Sequence, residues 1–158
     1  MLKELSHIDK KGNPTMVDVS DKKITKRIAK ARAEVIVDDT ILAALKDGDI
    51  HTKKGPVFHT AIIAGVMGAK KTAELIPFCH PLSLEDCKVE ISINGNNIVI
   101  DTTATITGKT GVEMEALTAA SVTALTIYDM CKALSHEMVI TATKLMFKTG
   151  GKSEFNRP

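Results

Sequence analysis

The sequence predicts an α+β fold in which an antiparallel sheet carries helices on one face. Segments with strand periodicity alternate with helical segments in the order strand, helices, hairpin, helix, strand. This order matches a ferredoxin-like βαββαβ sandwich. A length of 158 residues suits one domain. We therefore expect a single domain over residues 1–158, with a polar N-terminal arm at 1–20 and a Gly-rich tail at 149–158.

The first half of the chain predicts one strand and two helices. Apolar and charged residues alternate over residues 29–37, which is the period of a half-buried strand. Residues 41–45 predict a short helix that closes at Gly48. Pro56 suits a first helical turn, so a second helix is expected over residues 57–75.

The second half predicts a hairpin, a long helix and a last strand. Alternating residues flank Asn-Gly-Asn-Asn at 94–97, which indicates two antiparallel strands joined by a tight turn. In the long helix that follows, Thr110 is the predicted N-cap and Glu113 occupies the capping-box position. Residues 138–147 predict the final strand.

Composition argues against several functional classes. A net charge of +2 is too low for a surface that binds nucleic acid, and four Phe, one Tyr and no Trp give few aromatic rings on which bases could stack. No apolar run approaches the roughly 20 residues that cross a bilayer, and the N-terminal segment lacks the apolar core of a signal peptide. Three cysteines without CxxC spacing disfavour a disulfide framework or a zinc knuckle. We expect a cytoplasmic protein with neither nucleic acid nor membrane as partner.

The long helix carries charged residues at both ends. Glu113 and Glu115 in its first turn and Lys132 in its last turn suit the helix dipole, so helix stabilisation alone would explain them. The carboxylate of Asp129 is unfavourable near the C-terminal end of the helix dipole, and the nearest cation along the helix that could offset it is Lys132 at i+3. An Asp–Lys couple on a largely apolar helix is suited to proton transfer, and a structural ion pair is the competing interpretation.

One flank of the same helix consists of small residues, namely Ala116, Ala119, Ala120, Ser121 and Ala124. Such a flank lets another backbone approach closely, so a buried or interface helix is expected. Glu115 and Asp129 are separated by about 21 Å along the axis at 1.5 Å per residue, too far for one nucleotide-sized site. Antiparallel packing of two subunits through this flank would bring Glu115 of one chain to Asp129 of the other.

Lysines beside glycines are the second chemical signal. Lys54 precedes the predicted second helix, and Lys148 and Lys152 surround the glycine pair after the last strand. Ammonium groups and free amides in such loops hold phosphates, although each lysine pair alone is more often a solvated cluster. Together the three lysines favour an anionic ligand, and we expect them to form one cluster.

A stiff loop, Ile-Pro-Phe-Cys-His-Pro-Leu at residues 76–82, is the third signal. Its two prolines exclude a helix interior and a central strand, so its side chains are displayed. Phe78, Cys79 and His80 would then bind a planar polar ligand, act in acid–base chemistry or share a metal. The alternative is a packed loop whose histidine has an ordinary hydrogen-bond partner.

Four strings of residues resemble one known family. They are MVDVS at 16–20, LIPFCHPL at 75–82, ITGKTGVEMEALTAASVTALTIYDMCKA at 106–133 and KTGGKS at 148–153. Over essentially its whole length the chain is similar to the molybdenum cofactor biosynthesis protein C family, the cyclic pyranopterin monophosphate synthases. The resemblance implies a ferredoxin-like subunit in a homohexamer, a trimer of dimers with sites at the dimer interface. It also implies conversion of (8S)-3′,8-cyclo-7,8-dihydroguanosine 5′-triphosphate to cyclic pyranopterin monophosphate and pyrophosphate.

The resemblance also implies residue roles. It makes Asp129 the catalytic acid or base, with Lys132 as its partner and Lys54 also catalytic. The substrate would contact Phe78, Cys79, His80, Met114 and Glu115, with Glu113 nearby. The triphosphate needs the cluster of Lys54, Lys148 and Lys152, and a guanine-derived ring needs acceptors such as Glu115. No protein-bound metal or cofactor is encoded, and Mg²⁺ would accompany the triphosphate.

A non-catalytic, nucleotide-binding regulator of ferredoxin-like fold is the alternative function, since such folds often act as small-ligand sensors. A regulator would use the same lysines but has no need for a dipole-opposing Asp129. An obligate assembly scaffold would explain the small-residue helix but not the loop at 76–82.

Overall fold

A computed structural model describes residues 7–158 of the chain. The elements, in chain order, are β1 (Thr25–Ile36), α1 (Asp39–Leu42), β2 (Leu45–Lys46), β3 (Asp49–Thr52), β4 (Gly55–Pro56), α2 (Val57–Lys70), α3 (Thr72–Leu75), β5 (Asp86–Asn94), β6 (Asn97–Gly108), α4 (Glu113–Cys131), β7 (Val139–Thr149) and β8 (Phe155–Asn156). The predicted α+β class with an antiparallel sheet is confirmed. Within residues 7–158, no helix has the length and apolar character needed to cross a membrane.

The main sheet has the strand order β5-β6-β1-β7-β8, and every neighbouring pair is antiparallel. β1 pairs with β6 over its full length and with β7 on its other edge. Its alternating apolar side chains are buried, as the sequence period predicted, at Ala29, Ala31, Ala33 and Val35. The predicted hairpin is also confirmed, with Asn94 facing Asn97 across the turn.

Helices α2 and α4 pack against each other, and α4 also contacts β1, β6 and β7. Glycines allow the two helices to approach closely. A Cβ atom at Gly65 would overlap the Thr123 hydroxyl and lie 3.1 Å from the Ala119 carbonyl oxygen, and one at Gly68 would lie 2.8 Å from Val122. The core is therefore formed between this helix pair and one face of the sheet.

The alanine flank of α4 faces its own chain. Ala116, Ala119, Ala120 and Ala124 are all 0% exposed, because the sheet and α2 cover them. The prediction of a buried helix is correct, but the expectation that a second subunit packs on this flank is wrong. The small residues allow close approach of α2 rather than of a partner chain.

Several predicted boundaries change in the structure. The helix expected over residues 57–75 is interrupted at Lys71, where the backbone leaves helical geometry between α2 and α3. Pro56 precedes α2 as its N-cap residue and is not in its first turn. Val112, not Thr110, is the N-cap residue of α4, and the buried Thr110 hydroxyl has no hydrogen-bond partner among residues 7–158. Glu113 begins the helix itself.

Two additions lie outside the predicted elements. A small sheet, β2-β3-β4, stands between α1 and α2. The tail folds back, since β8 pairs with β7 through Phe147 and Lys148. The first six residues of the predicted arm lie outside the described residues, and the rest of it holds one isolated bridge between Ile8 and Pro14.

Candidate functional site

Six of the predicted substrate-binding residues line one cavity at the start of α4. Its volume is about 310 Å³, and its walls include Phe78, Cys79, His80, Glu113, Met114 and Glu115. The loop at 76–82 lies outside helices and strands, as expected, and contributes the first three. The first turn of α4 contributes the other three. We call this cavity the α4 N-terminal pocket.

Glu115 is the most perturbed carboxyl group of this pocket. The residue is 4% exposed, and burial, helped by the charge of Glu113, raises the pKa of its carboxyl group to about 7. Burial and the charge of Glu115 also raise the pKa of the Cys79 thiol. Near neutral pH Glu115 therefore populates both protonation states, which suits a group that accepts or donates a proton to a ligand.

The stability of the protein should depend on pH because Glu115 titrates at a different pH in the folded and unfolded states. The folded protein ionises this carboxyl only near pH 7, whereas the unfolded chain ionises it near the ordinary value of 4.5. The contribution of Glu115 to the free energy of unfolding is therefore complete below about pH 4.5. It falls by about 3 kcal/mol as the pH rises to about 7. We expect urea denaturation to show this decline for the unmodified protein and not for Glu115→Gln.

Glu90→Gln is the matched control for that measurement, because Glu90 is an exposed glutamate of β5. It should keep the decline between about pH 4.5 and 7. If Glu115→Gln keeps the same decline, Glu115 does not titrate as its burial implies.

A basic cavity adjoins the α4 N-terminal pocket through Gly111 and Glu113. Its volume is about 320 Å³, and four cationic side chains line it: Lys22, Arg27, Lys148 and Lys152. We call it the basic pocket. A further cavity shared by His80, Thr110, Lys22 and Lys152 makes the two regions continuous. Lys148 and Lys152 are predicted from the sequence, whereas Lys22, two residues after the string at 16–20, and Arg27, within β1, are not.

Local contacts place the basic side chains around the start of α4. Lys148 Nζ lies 3.0 Å from Glu113 Oε1, and Arg27 Nε donates to the Gly108 carbonyl at 3.1 Å. Gly150 has a φ of +84°, and a Cβ atom there would collide with the carbonyl oxygen of Lys26. This close approach requires glycine and holds the segment leading to Lys152 against β1.

Asp129 forms a second cluster in the last turn of α4. Lys132 Nζ lies 2.7 Å from Asp129 Oδ1, and Lys54 Nζ lies 2.9 Å from Oδ2 and 3.1 Å from the Asp129 carbonyl oxygen. Hydrogen bonds from Lys132 and then Lys54 lower the pKa of Asp129 to about 2. At neutral pH the group is a carboxylate between two ammonium groups, and they offset its unfavourable position on the helix dipole.

The cluster is half exposed in the single chain, since the side chains of Asp129, Lys132 and Lys54 are 55%, 51% and 50% exposed. The expectation that Lys54 joins the other two predicted phosphate ligands is wrong. It lies with Asp129 at the C-terminal end of α4, whereas Lys148 and Lys152 lie at the N-terminal end, about 21 Å away along the axis.

Metal-binding groups of three or more His, Cys, Asp or Glu residues do not occur within residues 7–158. The two pockets and the Asp129 cluster together offer carboxylates, ammonium groups, the Arg27 guanidinium, histidines and the Cys79 thiol. These groups bind anions and move protons.

Comparison with known proteins identifies a family whose sequences match most of the chain. The MoaC family model matches residues 16–151. Cyclic pyranopterin monophosphate synthase of Xanthomonas campestris pv. campestris (strain B100) is 52% identical over 151 residues, covering 95% of this chain and 92% of that protein. The protein of the same name from Xanthomonas oryzae pv. oryzae (strain MAFF 311018) is 51% identical with the same coverage.

A longer relative also matches. Molybdenum cofactor biosynthesis protein 1 of Dictyostelium discoideum is 51% identical over 168 residues, which cover 95% of this chain. The chain spans about a quarter of that protein, 27% of its length. The family model and the identities cover nearly all of the sequence, from the arm to the glycine pair after β7. The chain belongs to the MoaC family.

Proposed function

We propose that the chain is a cyclic pyranopterin monophosphate synthase, a lyase of molybdenum cofactor biosynthesis. Its substrate is (8S)-3′,8-cyclo-7,8-dihydroguanosine 5′-triphosphate, and its products are cyclic pyranopterin monophosphate and pyrophosphate. The observation that carries the proposal is the junction of two cavities at the start of α4. A ring-sized cavity containing Glu115 opens onto one lined by four cationic side chains.

The two cavities match the two parts of this substrate. A triphosphate of about four negative charges suits the basic pocket, where ammonium and guanidinium groups supply charge-assisted hydrogen bonds. The guanine-derived ring suits the α4 N-terminal pocket, where Glu115 accepts from ring N–H groups when ionised and Phe78 offers an aromatic face. Mg²⁺ belongs to the substrate in this proposal and travels with the phosphates.

The Asp129 cluster supplies the proton transfers of the ring rearrangement and cyclic phosphate formation. Because its pKa is held near 2, Asp129 begins as a carboxylate and is suited to accept a proton or stabilise a cation. Lys132 and Lys54 begin as ammonium groups and are suited to donate protons to leaving oxygens. The substrate displaces water from this half-exposed cluster when it binds, which strengthens these interactions.

One substrate must meet both ends of α4, so the active site is composite. We propose that Asp129, Lys132 and Lys54 of one subunit face the two pockets of another, within a homohexamer arranged as a trimer of dimers. Exposed apolar side chains on the outer surfaces of α2 and α4 support subunit association, since Ile63, Met67 and Leu125 are 62%, 54% and 59% exposed. The alanine flank takes no part, because α2 and the sheet cover it.

The finer fold assignment is also part of this proposal. A ferredoxin-like sandwich is supported by the order β5-β6-β1-β7, by antiparallel pairing throughout and by helices α2 and α4 packed together. A cytoplasmic location is proposed from the three cysteines, which are all free thiols.

Pyrophosphate release tests the activity directly. The purified protein should convert the cyclised dihydro-GTP to cyclic pyranopterin monophosphate with one pyrophosphate per turnover, whereas GTP itself should give none. If the assembled protein binds the cyclised dihydro-GTP tightly but does not turn it over, the alternative function as a non-catalytic, nucleotide-binding regulator is supported instead.

The phosphate assignment predicts a ligand-dependent loss of affinity. Lys148→Ala or Lys152→Ala should weaken GTP binding about tenfold, as expected for the loss of one charge-assisted contact, and weaken guanosine binding much less. Isothermal titration calorimetry at low and high salt measures both ligands. Lys88→Ala removes an equal charge from exposed β5, outside both pockets, and should change neither affinity. Equal weakening for GTP and guanosine would contradict the assignment.

A further inference from the structure

The first turn of α2 lacks a cap from its own N-cap residue. Pro56 occupies that position with an extended backbone, and its side chain makes no capping hydrogen bond. The first backbone N–H groups of a helix have no partner within the helix, so another group has to accept from them. In this chain the acceptor comes from a neighbouring strand.

Asp49, the first residue of β3, supplies the missing cap. Its Oδ1 accepts from the N–H groups of Phe58 and Ile50, both at 2.7 Å. Its Oδ2 accepts from the His59 N–H at 3.2 Å and lies 2.7 Å from His59 Nδ1. The residue is 3% exposed. Burial favours a higher pKa for Asp49, but the hydrogen bonds from Phe58, His59 and Ile50 hold it below its ordinary value.

This carboxylate connects both ends of the segment that carries Lys54. β3 starts at Asp49, the turn holds Lys54, and β4 leads directly into α2. The turn has its own hydrogen bond, from the Lys54 N–H to the Thr52 hydroxyl at 3.1 Å. Because Asp49 bonds to the start of β3 and to the first turn of α2, the hairpin is closed at its base on a helix that packs against α4.

The ion pair of Lys54 cannot fix the hairpin by itself. The Lys54 and Asp129 side chains are half exposed, and exposed pairs are weakened by solvent and by side-chain entropy. The buried Asp49 lies near Cys131, the last residue of α4. Burial, helped by the charge of Asp49, raises the pKa of the Cys131 thiol to about 11. Asp49 is thus a buried carboxylate with several hydrogen bonds near the last turn of α4, whereas the Lys54 side chain is half exposed.

We propose that Asp49 is the positioning residue for Lys54, because its carboxylate ties the β3–β4 hairpin to the start of α2 and so holds Lys54 Nζ against Asp129. The catalytic consequence rests on the proposed function, in which Lys54 acts on the substrate. The geometric part does not, because it concerns only the contact between Lys54 and Asp129.

Asp49→Asn keeps the shape of the side chain and removes part of its hydrogen bonding to α2. The amide keeps one oxygen for Phe58 and Ile50 but turns an NH₂ group toward the His59 N–H, so the connection to α2 is weakened. Trace acetylation followed by mass spectrometry reports the position of Lys54, with its exposed neighbour Lys53 as internal reference. Pairing with Asp129 shields Lys54 from the reagent, so the Lys54/Lys53 labelling ratio should be low in the unmodified protein.

The expected result is that Asp49→Asn raises this ratio by most of the increase seen in Asp129→Ala, where the partner is absent. Asp101→Asn is the matched control, since it disturbs the pair of hydrogen bonds that Asp101 accepts from Arg32 on β1, away from Lys54, and should leave the ratio unchanged. In folded Asp49→Asn protein, kcat should fall about tenfold or more, with a smaller change in KM, because a displaced group costs rate even when it is present.

A second variant distinguishes positioning from helix capping. Pro56→Ser gives α2 a conventional N-cap, so Asp49→Asn/Pro56→Ser should regain stability but keep the raised labelling ratio and the low kcat. An unchanged ratio in either folded variant would overturn the inference. A raised ratio with unchanged kcat would leave the positioning of Lys54 intact and count against the catalytic role of Lys54 in the proposed function.

Discussion

Asp129→Asn is expected to reduce turnover at least about 100-fold, the usual consequence of losing a group that takes part in acid–base catalysis. The substitution keeps the shape of the side chain and removes the carboxylate that bonds to Lys132 and Lys54. Steady-state kinetics of pyrophosphate release, normalised to folded protein, measures the loss.

Thermal stability should change little in the same variant. Two ion pairs are lost, but they are half exposed and partly screened, and the unfavourable charge at the C-terminal end of α4 disappears with them. Asp86→Asn is the matched control, because Asp86 is a half-exposed aspartate beside Lys88, outside both pockets. It should retain full activity. If Asp129→Asn loses much stability while the activity per folded molecule stays intact, Asp129 is only a structural ion-pair partner.

Mixed oligomers are expected to recover activity from two inactive proteins. Glu115→Ala removes an acceptor at the start of α4, and Asp129→Ala removes the carboxylate at its end. In a composite site each pocket uses Glu115 from one subunit and Asp129 from the other, so a mixed dimer contains one intact site. Random exchange of two-fold dimers therefore restores about a quarter of the unmodified activity.

The control for that experiment is a pair of variants from the same end of the helix. Asp129→Ala mixed with Lys132→Ala leaves no intact composite site and should recover no activity. Tagged co-purification establishes first that mixed dimers have formed. Mixed Glu115→Ala and Asp129→Ala dimers that remain inactive would rule out the shared site.

Local sequence patterns identified the main elements correctly. The alternation over residues 29–37 became the buried face of β1, and the Asn-Gly turn became the β5–β6 hairpin. The prediction that Lys132 pairs with Asp129 at i+3 is confirmed at 2.7 Å. These features depend on residues close in sequence, where strand period, turn chemistry and helical spacing leave few alternatives. Family membership was likewise readable from four strings of residues and is confirmed by the comparisons.

Other features of the site could not be read from the sequence. Lys54 lies against Asp129 rather than with Lys148, and Lys22 and Arg27, which no predicted site included, complete the basic pocket. Each placement results from contacts between segments far apart in the chain, as does the covering of the alanine flank by α2. Spacing along the sequence contains no direct measure of such contacts.

Local sequence thus determined which elements form and which chemical groups they carry, whereas tertiary packing decided their environments. Glu115 suits the helix dipole by position, yet burial raises its pKa to about 7. Asp129 opposes that dipole by position, yet two ammonium groups lower its pKa to about 2. The physical reason is that periodicity and capping act over one or two helical turns, while desolvation and charge pairing depend on whatever the whole fold brings within a few ångströms.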